Sequence, residues 1–333
     1  MSERQSGQMS LADVLVRQRE GLNKRLERMS SQIDWGRLKA VLAPLRRGRM
    51  GAPGYAPLVL FKALLLAQWY GLSDERLEEE LSDRVTFRRF VGLGLADETP
   101  DHTTLWRFRE ALGAAGLMTA AFAEINRQFD ARGLILRQGT LIDATLVEAQ
   151  AARPSPPKEP APDQTPSGEP PPSKLVRSAV DPDADWTRRG GRRHFGYKGH
   201  IAVDQGSGLI RHQTLTPASV NETSVADTLY LGDERALYAD KAYDSYARRA
   251  RLRSLGLKNR IQRRGNQYHA PTAREILRNV LIGRIRGRIE AVFGFFKRVW
   301  HYRRVRYFNL PRNATQFTLM CTAYNLSRAL RLT

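Results

Sequence analysis

Two kinds of hydrophobic pattern divide the chain. From about residue 31 to 115 the apolar residues recur at helical spacing, and the strongest run extends from Pro57 to Tyr70, where Gly71 ends it. From about residue 135 the apolar runs become short and rich in β-forming residues, as in residues 140–147. The pattern predicts a helical N-terminal region followed by a region in which strands and helices alternate.

Polar residues in the N-terminal region mark where its helices begin. Ser73 is a candidate N-cap, Ser82-Asp83 could cap the next helix, and Thr99-Pro100-Asp101 starts a further one that runs to about Leu112. Short helices separated by tight breaks are typical of a helix-turn-helix module, but an ordinary helical bundle gives the same pattern. We expect a polar arm over 1–30 and a helical DNA-binding domain over 31–115.

The second region, residues 135–333, contains a segment that breaks the strand pattern. Residues 154–172 hold nine of the 17 prolines, so a proline-rich insertion is expected over about 150–190. The remaining pattern predicts one helix over about 223–231 and several strands. The predicted strands cover Leu134–Leu136, Thr140–Val147, Phe195–Val203, Leu209–Leu215 and Leu237–Asp240, with a hairpin turn at 204–208.

The charge of the chain indicates what kind of partner it binds. The chain carries a net charge of +20, and residues 240–333 hold 22 Lys/Arg against four Asp/Glu, so this stretch accounts for +18 of the excess. A solvated helical face normally mixes charges of both signs, and a block this one-sided favours a polyanion such as nucleic acid. The one cysteine, Cys321, excludes a disulfide framework and a cysteine-based zinc site. With no leader-like or membrane-spanning run, we expect a cytoplasmic protein with no membrane partner.

The acidic residues inside the basic and apolar stretches are candidate catalytic groups. Asp143 interrupts an apolar strand, and Asp240 ends a short one. A carboxylate in a buried strand is costly unless it is paired, and a divalent metal would pair it. Glu290 shares one face of a predicted helix with Arg286 and Lys297, although an ordinary surface ion pair would give the same spacing.

Together these residues resemble a known family. The pattern Arg286-x3-Glu290-x6-Lys297, with Asp143 in LIDATLVEA and Asp240 in YADKAYDS, is similar to the DDE transposases of bacterial insertion sequences. The stretch FGYKGHIAVD, which begins at Phe195, and the N-terminal TPDHTTLWRFREAL are typical of the insertion-sequence-five group. The resemblance covers roughly residues 30–330.

The resemblance implies a fold, a site and partners. The fold is α/β: a ribonuclease-H-like catalytic domain, in which helices flank a mixed sheet, preceded by an all-α helix-turn-helix-like domain. Asp143, Asp240 and Glu290 would be catalytic and would bind two Mg²⁺ ions, with Mn²⁺ able to substitute. Transposon ends and target DNA would be the partners of a homo-oligomer assembled on DNA. By the resemblance Arg286 and Lys297 would hold transposon-end DNA. Arg303, Arg304 and Arg306 are further candidate DNA-binding residues, because they follow the aromatic run 300–302, although packing at a helix end would give the same pattern. One departure is Gly283, because the family pattern has a tyrosine three residues before the arginine.

Three functions remain compatible with the sequence. The first is a transposase that binds terminal inverted repeats, cuts at the ends and joins the freed 3′ hydroxyls to target DNA. The second is a nuclease of the same fold that cuts without joining. The third is a transposase-derived DNA-binding regulator, and the intact acids at all three positions argue against it.

Overall fold

The fold is described from a computed structural model, in which residues 23–45, 54–154, 178–265 and 270–333 are described. The proline-rich segment 155–177 and most of the arm, residues 1–22, lie outside these ranges, so predictions for them are not tested. Seven helices make up the described N-terminal part: α1 (Lys24–Ser31), α2 (Trp35–Leu42), α3 (Pro57–Tyr70), α4 (Asp74–Asp83), α5 (Val85–Val91), α6 (His102–Ala114) and α7 (Leu117–Ala131).

Local signals explain where most of these helices begin and end. Helix α3 has Pro57 in its first turn and ends at Gly71, whose φ of 68° suits the left-handed helix cap. The Ser73 side chain accepts a hydrogen bond from the Arg76 amide and caps α4, as predicted. The prediction that Ser82-Asp83 caps the next helix is wrong, because both residues lie inside α4.

The second half is built on a mixed sheet. Its strands are β1 (Thr140–Glu148), β2 (Asp185–Arg189), β3 (Arg192–Asp204), β4 (Ile210–Pro217), β5 (Ala236–Ala239) and β6 (Lys258–Ile261). The order is β2-β3-β1-β5-β6, and β4 also pairs with β3. Strand β3 is antiparallel to β1, β2 and β4, whereas β5 runs parallel to β1 and β6. Helices flank this sheet and an all-helical region precedes it, which confirms the predicted ribonuclease-H-like fold class.

Three strand assignments differ from the sequence prediction. Strand β6 lies in a stretch for which no strand was predicted. Leu134–Leu136 is not a strand but the link between α7 and β1, because it has no strand partner in the described sheet. Strand β2 was not predicted and falls inside the range expected to be an insertion. Its polar, arginine-rich sequence carries no alternating pattern, so only its pairing with β3 reveals it.

Four helices complete the described part: α8 (Glu222–Leu229), α9 (Tyr246–Ser254), α10 (Ala273–Val299) and α11 (Leu310–Ala329). Helix α11 joins the two halves of the molecule. Its residues Leu319, Ala323 and Leu326 pack in the core of the N-terminal helices, whereas Phe317 and Met320 pack in the core under the sheet. A fragment of residues 1–115 would expose the apolar surface that α11 covers, so DNA binding by the N-terminal helices is best tested in the full chain.

The N-terminal helices are also held by a paired charge. The Arg109 guanidinium on α6 donates to both carboxylate oxygens of Asp74 on α4, at 2.6 and 2.8 Å. Arg109 is buried, so its removal leaves Asp74 without its main partner.

We therefore expect Arg109→Ala to lower the free energy of unfolding by about 3 kcal/mol, the lower end for breaking a buried ion pair, because Asp74 keeps some solvent contact. Arg76→Ala is the control, since Arg76 is exposed and should cost less than about 1 kcal/mol. Urea denaturation of the full chain measures both. Equal losses would show that the Arg109–Asp74 pair does not hold α4 and α6 together.

Within the described ranges, none of the helices is both long and apolar enough to cross a lipid bilayer.

Candidate active site

The first two predicted carboxylates lie side by side on neighbouring parallel strands. Thr140 of β1 pairs with Leu237 of β5, and Leu141 pairs with Tyr238. The same offset carried two residues further brings Asp240 beside Asp143. The sheet thus joins two residues that are 97 positions apart in the chain, since 240 − 143 = 97.

Asp240 is fixed by the turn that follows β5. One of its carboxylate oxygens accepts a hydrogen bond from the Ala242 amide at 2.6 Å and caps a short 3₁₀ turn, Lys241–Tyr243. The other carboxylate oxygen has no hydrogen-bond partner among the described residues. Asp240 thereby presents one acceptor at the end of the strand.

Asp143 is a buried carboxylate held by an arginine. Its Oδ2 lies 3.2 Å from a guanidinium nitrogen of Arg286 on α10. Burial raises the pKa of Asp143, and the charge of neighbouring Asp240 also acts to raise it, whereas the guanidinium of Arg286 acts to lower it. Arg286 is the cation that offsets the cost of a charge in the sheet.

Glu290 stands on the outer side of the same arginine. Its carboxylate is 3.5 Å from the Arg286 guanidinium, one helical turn away, and its side chain is 66% exposed. The apolar side of α10 is buried through Ile289, Val292 and Phe296, as the sequence pattern predicted. Arg286 thus bridges two of the three predicted acids, Asp143 and Glu290.

Three further polar residues at this site were not predicted as site residues. The buried Tyr243 hydroxyl lies 3.4 Å from the carboxylate of Glu222, the first residue of α8. Glu222 also lies 3.8 Å from the ammonium group of Lys198 on β3, which donates to the Val220 carbonyl at 2.8 Å. Burial raises the pKa of Tyr243, and the charges of Glu222, Asp143 and Asp240 raise it further. A fourth carboxylate therefore borders the pair on the sheet.

Gln262 fills the space beside the glycine that departs from the family pattern. A Cβ on Gly283 would lie 3.4 Å from the Gln262 side-chain nitrogen. The Gln262 side-chain oxygen is 3.4 Å from Arg286, and its nitrogen donates to the Asn279 carbonyl at 3.0 Å. No sequence signal marks Gln262, because its role depends on how β6 meets α10.

Of the predicted DNA-binding residues, Arg286 contacts Asp143 and Glu290, and the other four follow Glu290 in the chain. Lys297 is half-buried on α10, whereas Arg303, Arg304 and Arg306 are exposed. The backbone of residues 303–305 is hydrogen-bonded to Glu148 at the end of β1: the Glu148 amide donates to Arg303, and the Val305 amide donates to Glu148, both at 2.9 Å. This pairing fixes the basic segment at the end of β1, five residues beyond Asp143.

The donors at this site suit a hard divalent cation. Asp143 and Asp240 offer carboxylate oxygens on adjacent strands, and such oxygens are the ligands Mg²⁺ prefers in proteins. Among the residues that the structure describes, however, no three His, Cys, Asp or Glu side chains are grouped so as to hold a metal ion. Arg286 lies between Asp143 and Glu290. The residues fit such an ion in chemistry, and recruiting Glu290 requires Arg286 or Glu290 to shift.

Both halves of the chain match models of known protein families. Residues 135–326 match the model of the family described as "Transposase DDE domain". Residues 14–111 match the family described as "Transposase domain (DUF772)". The first match covers more than half of the chain and spans Asp143, Asp240 and Glu290.

Solved structures give weak similarity only. A cryo-EM structure of the piggyBac transposase synaptic complex with hairpin DNA is 12% identical, with a TM-score of 0.37, over 90% of this chain and 71% of that one. A crystal structure of a pre-cleavage Mos1 transpososome is 11% identical, with a TM-score of 0.18, over 89% and 85% of the two chains.

Proposed function

This chain belongs to the transposase DDE domain family, whose members are enzymes that cleave DNA and transfer strands, and we propose that it is the transposase of a bacterial insertion sequence of the insertion-sequence-five group. It binds the terminal inverted repeats of its element through the helices of residues 31–115. It then hydrolyses phosphodiester bonds at the ends and joins the freed 3′ hydroxyls to target DNA.

One observation carries this proposal: Asp143 lies on β1, Asp240 directly follows the neighbouring parallel strand β5, and Arg286 links Asp143 to Glu290. We assign these three carboxylates as catalytic and as the ligands of two Mg²⁺ ions, which Mn²⁺ can replace. Bound there, the two ions would stabilise the attacking and leaving oxygens of an in-line phosphoryl transfer.

The basic residues around the carboxylates would position the DNA. Arg286 and Lys297 lie on the same helix as Glu290, and the exposed Arg303, Arg304 and Arg306 extend the surface at its edge. Arginine's planar group suits phosphate oxygens, and these contacts fix the position of a duplex without reading its sequence. Sequence recognition falls to the N-terminal helices.

More than one copy of the chain is expected on DNA. An element has two ends, and joining both to one target requires two sets of carboxylates. We propose a homo-oligomer that forms on the paired ends.

The test is a cleavage assay with the full chain. Its substrate is a labelled duplex that carries the inverted repeat flanking the gene, and a scrambled duplex is the control. The proposal expects Mg²⁺-dependent nicking at the end of the repeat, followed by joining of the 3′ end to a second duplex. Cleavage without joining would indicate a nuclease, and specific binding without cleavage would indicate a regulator; either result contradicts the proposal.

A further inference from the structure

The turn between β2 and β3 carries a cluster of arginines at its tip. Gly190 and Gly191 form the two-residue turn with φ values of 56° and 78°, both in the left-handed region that this type of hairpin needs. Arg188, Arg189, Arg192 and Arg193 flank the glycines and are exposed. We call residues 185–196 the arginine hairpin.

The pairing of the hairpin brings like charges together. Arg189 is opposite Arg192, and Arg188 is opposite Arg193. Directly opposite residues of an antiparallel pair project from the same face, and like charges in that position destabilise the pair. Within the described part of the chain, no hydrogen bond or ion pair engages the side chain of Arg188, Arg189 or Arg192. An external anion that neutralises these charges would remove the repulsion.

The base of the hairpin is anchored, so its tip is held in a fixed place. Trp186 packs against Phe195 across the strands, with the ring centroids 5.3 Å apart. Phe195 is buried in the core under the sheet, and β3 continues from it as the strand beside β1. The hairpin is thus an extension of the central sheet.

The hairpin leaves the sheet at the end of β1, five residues beyond Asp143. Gly196 pairs with Glu148, the residue whose backbone also binds the basic segment 303–305. Burial lowers the pKa of Lys297, and the nearby charges of Arg189 and Arg303 lower it further. Arg189 also acts on Lys198, the lysine next to Glu222. Arg189 is therefore near two cations: Lys297, which shares helix α10 with Glu290, and Lys198, which lies 3.8 Å from Glu222.

We propose that Arg189 and Arg192 of the arginine hairpin bind backbone phosphates of the transposon-end duplex. The inference rests on the proposed function. The end duplex is favoured over target DNA because Arg189 is near Lys297, which shares helix α10 with Glu290, and the end must reach the carboxylates before a target can be joined. The two guanidinium groups sit opposite each other and present paired forks to phosphate oxygens.

The test compares two double variants of the full chain. Arg189Gln/Arg192Gln removes the proposed pair, and Arg188Gln/Arg193Gln removes the same charge from the opposite face of the hairpin. Binding to a labelled duplex that carries the flanking inverted repeat is measured over a range of salt concentrations. Each phosphate contact contributes about 0.9 to the slope of log affinity against log salt. Arg189Gln/Arg192Gln should reduce the slope by about 2, with weaker binding and slower end cleavage. Arg188Gln/Arg193Gln should leave all three near wild type.

Arg189Gln/Arg192Gln should keep its fold, since it removes a repulsive pair, and a melting temperature equal to or above wild type is expected. The two variants are compared at a temperature at which both are folded. Equal slope losses in both variants, or none in either, would overturn the inference. Normal end binding and cleavage with lost joining to a target duplex would also overturn it and move the contact to target DNA. If the wild-type chain itself neither binds nor cleaves the end duplex, the proposed function fails instead.

Discussion

Replacing Asp143 with asparagine is expected to reduce Mg²⁺-dependent end cleavage at least about a thousandfold while DNA binding stays intact. Asparagine keeps the shape of the side chain but removes the charge that would hold a cation. Losing about 4 kcal/mol of transition-state stabilisation, within the range for a bound metal, corresponds to that factor. Asp240→Asn and Glu290→Gln should behave alike. Binding to the end duplex depends on the arginines and lysines, which these changes leave in place.

Cleavage of the labelled end duplex and its binding are measured on the same purified protein. Burial raises the pKa of Asp143, so its ionised form is less favourable in the folded protein than in the unfolded chain. The neutral asparagine should therefore leave the melting temperature at neutral pH unchanged or higher. Asp34→Asn is the control, because asparagine caps a helix as well as aspartate does, and the other contact of the Asp34 side chain is an exposed pair with Arg37. Near wild-type cleavage by Asp143→Asn would exclude Asp143 from the site.

Gly196→Ala is expected to unfold much of the sheet, with a loss of about 3 kcal/mol or more in the free energy of unfolding. Gly196 has a φ of 153°, a backbone angle that residues other than glycine rarely adopt. An added Cβ would lie inside contact distance of the Val147 carbonyl oxygen and 2.6 Å from the Ala149 amide nitrogen. Backbone on the neighbouring strand cannot move aside without breaking the β1–β3 pairing that carries Asp143.

Gly287→Ala on α10 is the matched control. A Cβ there meets nothing within 4 Å, and alanine in a helix interior is favoured over glycine by about 1 kcal/mol. Urea denaturation should show a loss for Gly196→Ala and a gain of up to about 1 kcal/mol for Gly287→Ala. If Gly196→Ala is as stable as wild type, the space between residue 196 and the backbone of residues 147–149 is larger than in the structure.

Local sequence signals are sufficient to predict the parts of the structure that local chemistry controls. Helix α3 follows from an apolar run between Pro57 and Gly71, and strand β1 follows from a short apolar run rich in β-forming residues. The three acids and the Arg/Glu/Lys face of α10 were visible because carboxylates inside apolar or basic stretches are conspicuous. Each of these signals extends over a few neighbouring residues, so it is apparent in the sequence alone.

Which distant residues meet depends on the tertiary structure of the whole chain. The parallel register of β1 and β5 brings Asp240 to Asp143, and the packing of α10 on the sheet sets Arg286 between Asp143 and Glu290. Glu222 and Gln262 join the site from α8 and from the end of β6, although nothing local marks them. Strand β2 forms because β3 supplies its hydrogen-bond partners. Its own arginine-rich sequence does not predict a strand. Such contacts depend on strand register and helix packing, and these are fixed only when the whole chain buries its core.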